Sequence, residues 1–228
     1  MREKHLLIAV DGPVGSGKTS LCDAVAKRLN ILHLDTGAMY RAVGLAALQN
    51  GISPDDEEQV SNLCLNGKAV IDARYENNKQ ITLLNGTDVS EAIRTEEAGL
   101  AASSVSRFAA VRKYLVHLQR QIAQKQSVIM DGRDIGTVVL KEAPVKIFLT
   151  AKPEVRAQRR YKQLLKKGKE ADLNLIIKDL KKRDLQDSTR KIDPLKKALD
   201  AVVLDTSNLN FEESVQAIIE EVNKVYGA

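Results

Sequence analysis

Tryptophan is absent, and aromatic residues of any kind make up only 4% of the chain. A protein that tracks single-stranded nucleic acid needs aromatic platforms for the bases, and this chain has little to build them from. Cysteine is nearly absent too. Cys22 and Cys64 lack metal-ligand or redox spacing, so they read as two small thiols in a reducing compartment. No long hydrophobic run occurs. The first one, Leu6–Val10, is too short for a secretory signal and soon meets Asp11. Nothing approaches membrane-spanning length. There is no internal repeat or low-complexity tract. These absences lead us to expect a cytoplasmic protein without membrane or nucleic-acid partners.

What is present is an ordinary globular composition, 43% hydrophobic and 29% charged over 228 residues. That length suits one domain, or one core with lobes inserted in it. Such a chain buries roughly 70–75% of its unfolded surface. The net charge is +5, and its distribution says more than its sum. From Lys152 to Lys197 there are sixteen Lys/Arg against seven Asp/Glu, so this segment carries the whole positive excess. It suits a polyanion or the phosphates of a small ligand, although most of its lysines read as a solvated helical face.

Short apolar runs recur between helical stretches: Leu6–Val10, Ile31–Leu34, Val128–Met130, Val145–Leu149 and Val202–Leu204. They are of strand length, rich in Val, Ile and Leu, and do not alternate. Strands buried on both faces of a parallel sheet read this way. Helical spacing places Val111, Leu115, Leu118 and Ile122 on one face, and Phe211, Val215, Ile218, Ile219 and Val222 on another. Asn210 with Glu213 forms a capping pattern before the latter. Pro153 suits the first turn of a helix running to about Lys167. The expected fold is α/β, a doubly wound parallel five-stranded sheet with ligands at the C-terminal strand ends. Two regions interrupt the alternation. Ala69–Ile71 and Gln80–Leu84, separated by Asn77-Asn78 and followed by Asn85-Gly86, read as an inserted antiparallel hairpin. The other is the basic segment, with Gly168 as a hinge between two charged helices.

The densest chemical signal is Gly12-Pro13-Val14-Gly15-Ser16-Gly17-Lys18-Thr19. It satisfies every fixed position of the phosphate-loop pattern and lies between a buried strand and a helical pattern, where the mechanism needs it. Gly15 and Gly17 let successive N–H groups curl toward phosphate oxygens. The following helix adds its partly positive N-terminus. Lys18 reaches the β- and γ-phosphates, and the Thr19 hydroxyl holds Mg²⁺. The implied ligand is a nucleoside triphosphate.

Three further clusters follow strand-like runs or lie in the basic segment. In Asp35–Arg41 a helix begins, capped by Asp35 or Thr36, with Tyr40 and Arg41 in its first turns; Arg41 is a fork that matches a phosphate. Asp131-Gly132-Arg133-Asp134 follows a buried run, where a phosphate-loop enzyme places the acid that holds Mg²⁺ directly or through water. That acid is Asp131; Arg133 can grip phosphate and Asp134 can accept from an amine. In the basic segment, Arg156 and Arg160 share a helical face with Arg159 adjacent, and Arg183, Asp187 and Arg190 form a cation–anion–cation row. Arginines that close over a transferring phosphoryl group act by positioning and charge neutralisation.

Taken together, these segments resemble the bacterial cytidylate kinase family of nucleoside monophosphate kinases. The resemblance rests on Asp11–Lys18, Leu34–Arg41, Asp131–Thr137, Ala143–Leu149 and Arg183–Arg190, and spans nearly the whole chain. It implies Mg²⁺-dependent transfer of the γ-phosphoryl group of ATP to CMP or dCMP. By the same resemblance, Gly12, Pro13, Val14, Gly15, Ser16, Gly17, Lys18, Thr19 and Ser20 hold ATP, with Arg156, Arg159 and Arg160 in or beside a mobile lid. Arg41, Arg133 and Arg190 hold the acceptor phosphate, and Arg183 and Asp187 contact its sugar. Ser103, Arg112 and Asp134 read the cytosine edge, with Thr36 and Tyr40 beside the acceptor. Lys18, Arg133 and Arg159 are the expected catalytic groups. Cytosine offers an amine where uracil offers a carbonyl, so Asp134 favours CMP over UMP. This chain has Thr36 where relatives often have Ser, and Thr19-Ser20 where many have another order, which leaves Thr19 or Ser20 as the metal's hydroxyl.

The expected organisation is one kinase domain, monomeric. Its core is 1–35, 126–152 and 198–228, its monophosphate-binding lobe about 36–125, and its basic helical lid about 153–197. A phosphate-loop switch without a small acceptor fits less well, because Arg41 and Arg133 suit a second anionic substrate.

Overall fold

The computed structural model describes residues 5–76, 79–166 and 168–227. In chain order the elements are β1 (Leu7–Asp11), α1 (Lys18–Leu29), β2 (Leu32–Asp35), α2 (Thr36–Gln49), α3 (Glu57–Leu65), β3 (Ile71–Glu76), β4 (Lys79–Leu84) and β5 (Thr87–Asp88). There follow α4 (Glu96–Val105), α5 (Ala109–Lys125), β6 (Val128–Gly132), β7 (Val145–Thr150), α6 (Pro153–Lys166), α7 (Leu173–Thr189), β8 (Val202–Asp205) and α8 (Phe211–Tyr226). A 3₁₀ turn precedes α4, and a π-helical turn spans Ile135–Val139.

Five strands form a parallel sheet in the order β2-β6-β1-β7-β8. This is the expected α/β, doubly wound arrangement. The central strands are apolar up to their C-terminal ends because both their faces are covered: Ile8, Ala9, Val10, Val128, Ile129 and Met130 are fully buried. β8 departs from the expectation of burial on both faces, since Val202 and Val203 are 43% and 53% exposed. It is an edge strand, so its outer side has no neighbouring strand. Phe211, expected on the buried face of α8, is also exposed because it occupies the first position of the helix. The Asn210–Glu213 capping box is formed in full.

Two compact units emerge from the packing. Among the described residues, one comprises His5 and residues 31–128; the other comprises 6–30 and 129–227. In the first unit α2 packs on α4 and α3 on α5. A Cβ on Gly44 of α2 would lie 2.7 Å from that of Ala101, so the backbones of α2 and α4 approach closely there. The inserted hairpin is the antiparallel β3–β4 pair. A short third strand, β5, is added through the turn Asn85-Gly86, whose φ values of 51° and 80° are the left-handed conformations an Asn-Gly turn adopts. Asn77-Asn78, expected to separate the hairpin strands, lies outside the described residues. In the second unit α1 packs on α8 and α6 on α7. Gly168 closes the end of α6 with φ 69° and donates to Leu165 O. Lys167, the expected end of that helix, lies outside the described residues. Among the described residues no helix is long and apolar enough to cross a membrane.

Candidate active site

In the second unit, β1 delivers the chain into the phosphate loop. Gly12 has φ 153°, and a Cβ there would lie 2.0 Å from Leu149 O of β7, so only glycine passes. Gly15 and Gly17 have φ of 74° and 92°, which turns the backbone as expected. Lys18, buried in the first turn of α1, folds back on the loop. Its ammonium donates to Gly12 O and Pro13 O at 2.8 Å each and to Ser16 Oγ at 3.2 Å. Burial, reinforced by the nearby Arg133, pulls its pKa down to about 7.

The Thr19 hydroxyl donates to Asp131 Oδ2 at 2.9 Å, across 112 residues of sequence. A hydroxyl and a carboxylate at a phosphate loop form the hard oxygen donor set that suits Mg²⁺. Ser20, the other candidate hydroxyl, is exposed on α1.

The basic segment surrounds this loop with ion pairs. Arg133 Nε meets Asp187 Oδ2 of α7 at 2.6 Å. Burial depresses the guanidinium most, but Asp187 together with Asp131 and Asp184 outweighs it, and the net shift is upward. Arg190 pairs with Asp134 at 3.2 Å, and both are buried. Arg183 is half-buried one turn N-terminal to Asp187 on α7. Arg156 is buried and donates to Val14 O at 2.7 Å and Ala151 O at 3.0 Å. Arg159 donates to Thr206 Oγ1 and O at 3.1 and 2.6 Å and approaches Ser16 O at 3.5 Å. Burial lowers its pKa. Arg160 is exposed and donates to Gln163 of its own helix at 2.8 Å. Of the three arginines expected beside the loop, Arg156 and Arg159 reach its carbonyl oxygens, while Arg160 bonds within its own helix.

Two carboxylates escaped the sequence reading. Asp184 accepts the Val14 N–H at 3.1 Å and pairs with Arg156 at 2.7 Å. It sits beside Arg183 in the motif already singled out, but its partner lies 170 residues away. Asp11 ends β1 and accepts the N–H groups of Ile135 and Gly136 at 2.7 and 2.8 Å, which anchors the π-helical turn after Asp134. Its burial raises its pKa to about 6, against the lowering effect of those two donors.

The first unit holds the remaining expected residues. Asp35 caps α2 by accepting the Ala38 N–H at 3.1 Å, which decides between Asp35 and Thr36 as the cap. Thr36 is buried in the first turn. Arg41 pairs with Asp35 at 2.7 Å. The Arg112 guanidinium lies over the Tyr40 ring, 5.7 Å from its centroid, an arrangement that favours the cation electrostatically. Arg112 is buried on α5 and Ser103 half-buried on α4. This unit thus supplies arginines, hydroxyls and a stacked ring, a set able to bind a nucleoside monophosphate.

Comparison with known proteins agrees with this chemistry. The family model described as cytidylate kinase matches residues 8–224. A cytidylate kinase of Caldicellulosiruptor bescii is 45% identical over 97% of this chain and 97% of its own. One of Carboxydothermus hydrogenoformans is 46% identical over 95% of this chain and 97% of its own. Among solved structures, an uncharacterized protein of Eubacterium ventriosum superposes with a TM-score of 0.54 at 12% identity, covering 96% of this chain and 99% of that one, a likeness of fold alone.

Proposed function

Since the chain belongs to the cytidylate kinase family of nucleoside monophosphate kinases, we propose that it transfers the γ-phosphoryl group of ATP to CMP or dCMP. An oxygen of the acceptor phosphate forms the new bond to the γ-phosphorus as the bond to the β–γ bridging oxygen breaks. ADP and CDP or dCDP leave, and the reaction serves pyrimidine nucleotide metabolism. The observation that carries the reading is the phosphate loop Gly12–Thr19 with its hydroxyl on Asp131 at 2.9 Å, within a chain that matches the family over residues 8–224.

The residue roles follow from the same reading. Residues 12–20 cradle the donor phosphates, and Lys18 leaves its loop carbonyls for them. Arg133 and Arg159 neutralise charge as it spreads over the transferring group, with Arg156 and Arg160 at the lid. Thr19 and Asp131 hold Mg²⁺, Asp131 directly or through water. When bound, the ion supplies positive charge to the phosphates. Arg41, Arg133 and Arg190 take the acceptor phosphate, Arg183 and Asp187 the sugar, and Ser103, Arg112 and Asp134 the cytosine edge, beside Thr36 and Tyr40. The core is 1–35, 126–152 and 198–228, the acceptor lobe about 36–125 and the lid about 153–197. The enzyme works as a cytoplasmic monomer and needs no nucleic-acid or membrane partner.

The test is Mg²⁺-dependent ADP formation from ATP with CMP, dCMP, UMP, AMP or no acceptor. Strong stimulation by CMP and dCMP alone supports the reading. Equal hydrolysis with and without every acceptor leaves only a nucleotide-binding loop.

A further inference from the structure

Two buried side-chain polar atoms stand without a hydrogen-bond partner among the described residues: Nε of Arg41 and the hydroxyl of Tyr75. Both belong to the first unit, and both sit in the field of one carboxylate. Arg41 pairs with Asp35 through its Nη2 at 2.7 Å, which leaves Nε unused. Burial, and then the charge of Asp35, raises the Tyr75 pKa, so its hydroxyl stays protonated. The two orphans are therefore both donors.

The inserted hairpin is tied to the same point. Tyr75 on β3 lies opposite Gln80 on β4. The Gln80 side chain accepts the Asp35 N–H at 2.7 Å and donates to Asp35 O at 3.3 Å and Thr82 Oγ1 at 3.2 Å. In effect the amide extends strand pairing onto the residue that caps α2. Gly37 keeps the neighbourhood open: a Cβ there would lie 3.1 Å from Asp35 Oδ1 and 3.2 Å from Arg41 Nη1.

A buried donor without an acceptor costs about 1–3 kcal/mol, and folded proteins rarely leave one so. Two in the field of one anion call for a ligand rich in acceptors. A phosphate monoester dianion offers only acceptors. We propose that Tyr75 is an additional binding residue for the acceptor nucleotide, its hydroxyl donating to a non-bridging oxygen of the 5′-phosphate. The hairpin then contributes directly to acceptor binding, and Gln80 positions it. This rests on the monophosphate-acceptor reading above.

The test is Tyr75→Phe, which removes one oxygen and keeps the ring. KM for CMP should rise roughly ten-fold, the loss expected for one hydrogen bond to a charged group, while KM for ATP stays as it was. The melting temperature without ligand should hold or rise, because the hydroxyl has no hydrogen-bond partner among the described residues. CMP should raise that temperature less in the variant than in the wild type. Inhibition by cytidine, which lacks the phosphate, should be equal in the two proteins. A lower ligand-free melting temperature would mean the hydroxyl is already partnered, and would overturn the inference. So would an unchanged KM for CMP, or an equal loss of cytidine binding, which would put the contact on the nucleoside. A wild type that neither turns over nor binds CMP overturns the proposed function and this inference with it; a wild type that does both, with an indistinguishable variant, overturns this inference alone.

Discussion

Asp184 of α7 accepts the backbone N–H of Val14 at 3.1 Å while its other oxygen meets Arg156 at 2.7 Å. One carboxylate thus ties the basic segment to the phosphate loop. Arg156 is 4% exposed, so its guanidinium is held away from water and that carboxylate is its anionic partner. Asp184→Ala should destabilise the ligand-free enzyme by about 3 kcal/mol, because breaking a buried pair strands the remaining charge. Urea unfolding at neutral pH measures it. A loss indistinguishable from that of an exposed Asp→Ala change would show that the contact does not hold the loop.

Lys18→Ala should lower kcat by at least about 100-fold, the scale seen when one preorganised donor to developing charge is removed. Its ammonium is bonded to the loop itself in the ligand-free state. Steady-state kinetics with saturating ATP and CMP separates this from weaker donor binding. A change in KM for ATP alone would remove Lys18 from the catalytic step.

Asp134→Asn should compress the preference for CMP over UMP about ten-fold, since an amide can donate to the uracil carbonyl as well as accept from the cytosine amine. Asparagine is the better probe than alanine, because Asp134 is also the buried partner of Arg190. The ratio of kcat/KM for the two nucleotides is the readout, and an unchanged ratio would release Asp134 from reading the base.

Asp11 makes stability depend on pH. Its pKa is raised from 3.8 to about 6 in the folded chain, so the folded state binds the proton more tightly than the unfolded one. Stability from this group is therefore full below about pH 4, falls as pH rises, and has gone above about pH 6; the span is worth about 3 kcal/mol. Asp11→Asn has no such titration. Urea unfolding from pH 4 to pH 8 should show the wild type losing stability relative to the variant between about pH 4 and pH 6. Parallel profiles would mean that Asp11 titrates at its ordinary value.

The sequence by itself determined the elements and the chemistry they carry. The phosphate loop was legible because its function requires particular residues at adjacent positions, and the same holds for the Asn210–Glu213 cap and for the apolar runs of the central strands. These are local relationships, set by backbone geometry within one turn or one strand. Only the tertiary structure decided which charge answers which. Val14 and Asp184 are 170 residues apart, Asp11 and Ile135 124, and Thr19 and Asp131 112. Helical spacing groups Arg156, Arg159 and Arg160, but which of them reach the loop's carbonyls is decided by what the helix packs against and not by its own period. β8 carries the apolar pattern of a buried strand and lies at the edge, since no residue records its place in the sheet order. The sequence singled out nothing at Tyr75, whose hydroxyl the fold buries near Asp35, forty residues away in the chain. Burial without a partner is a property of the space around an atom, and that space is made by segments distant in sequence.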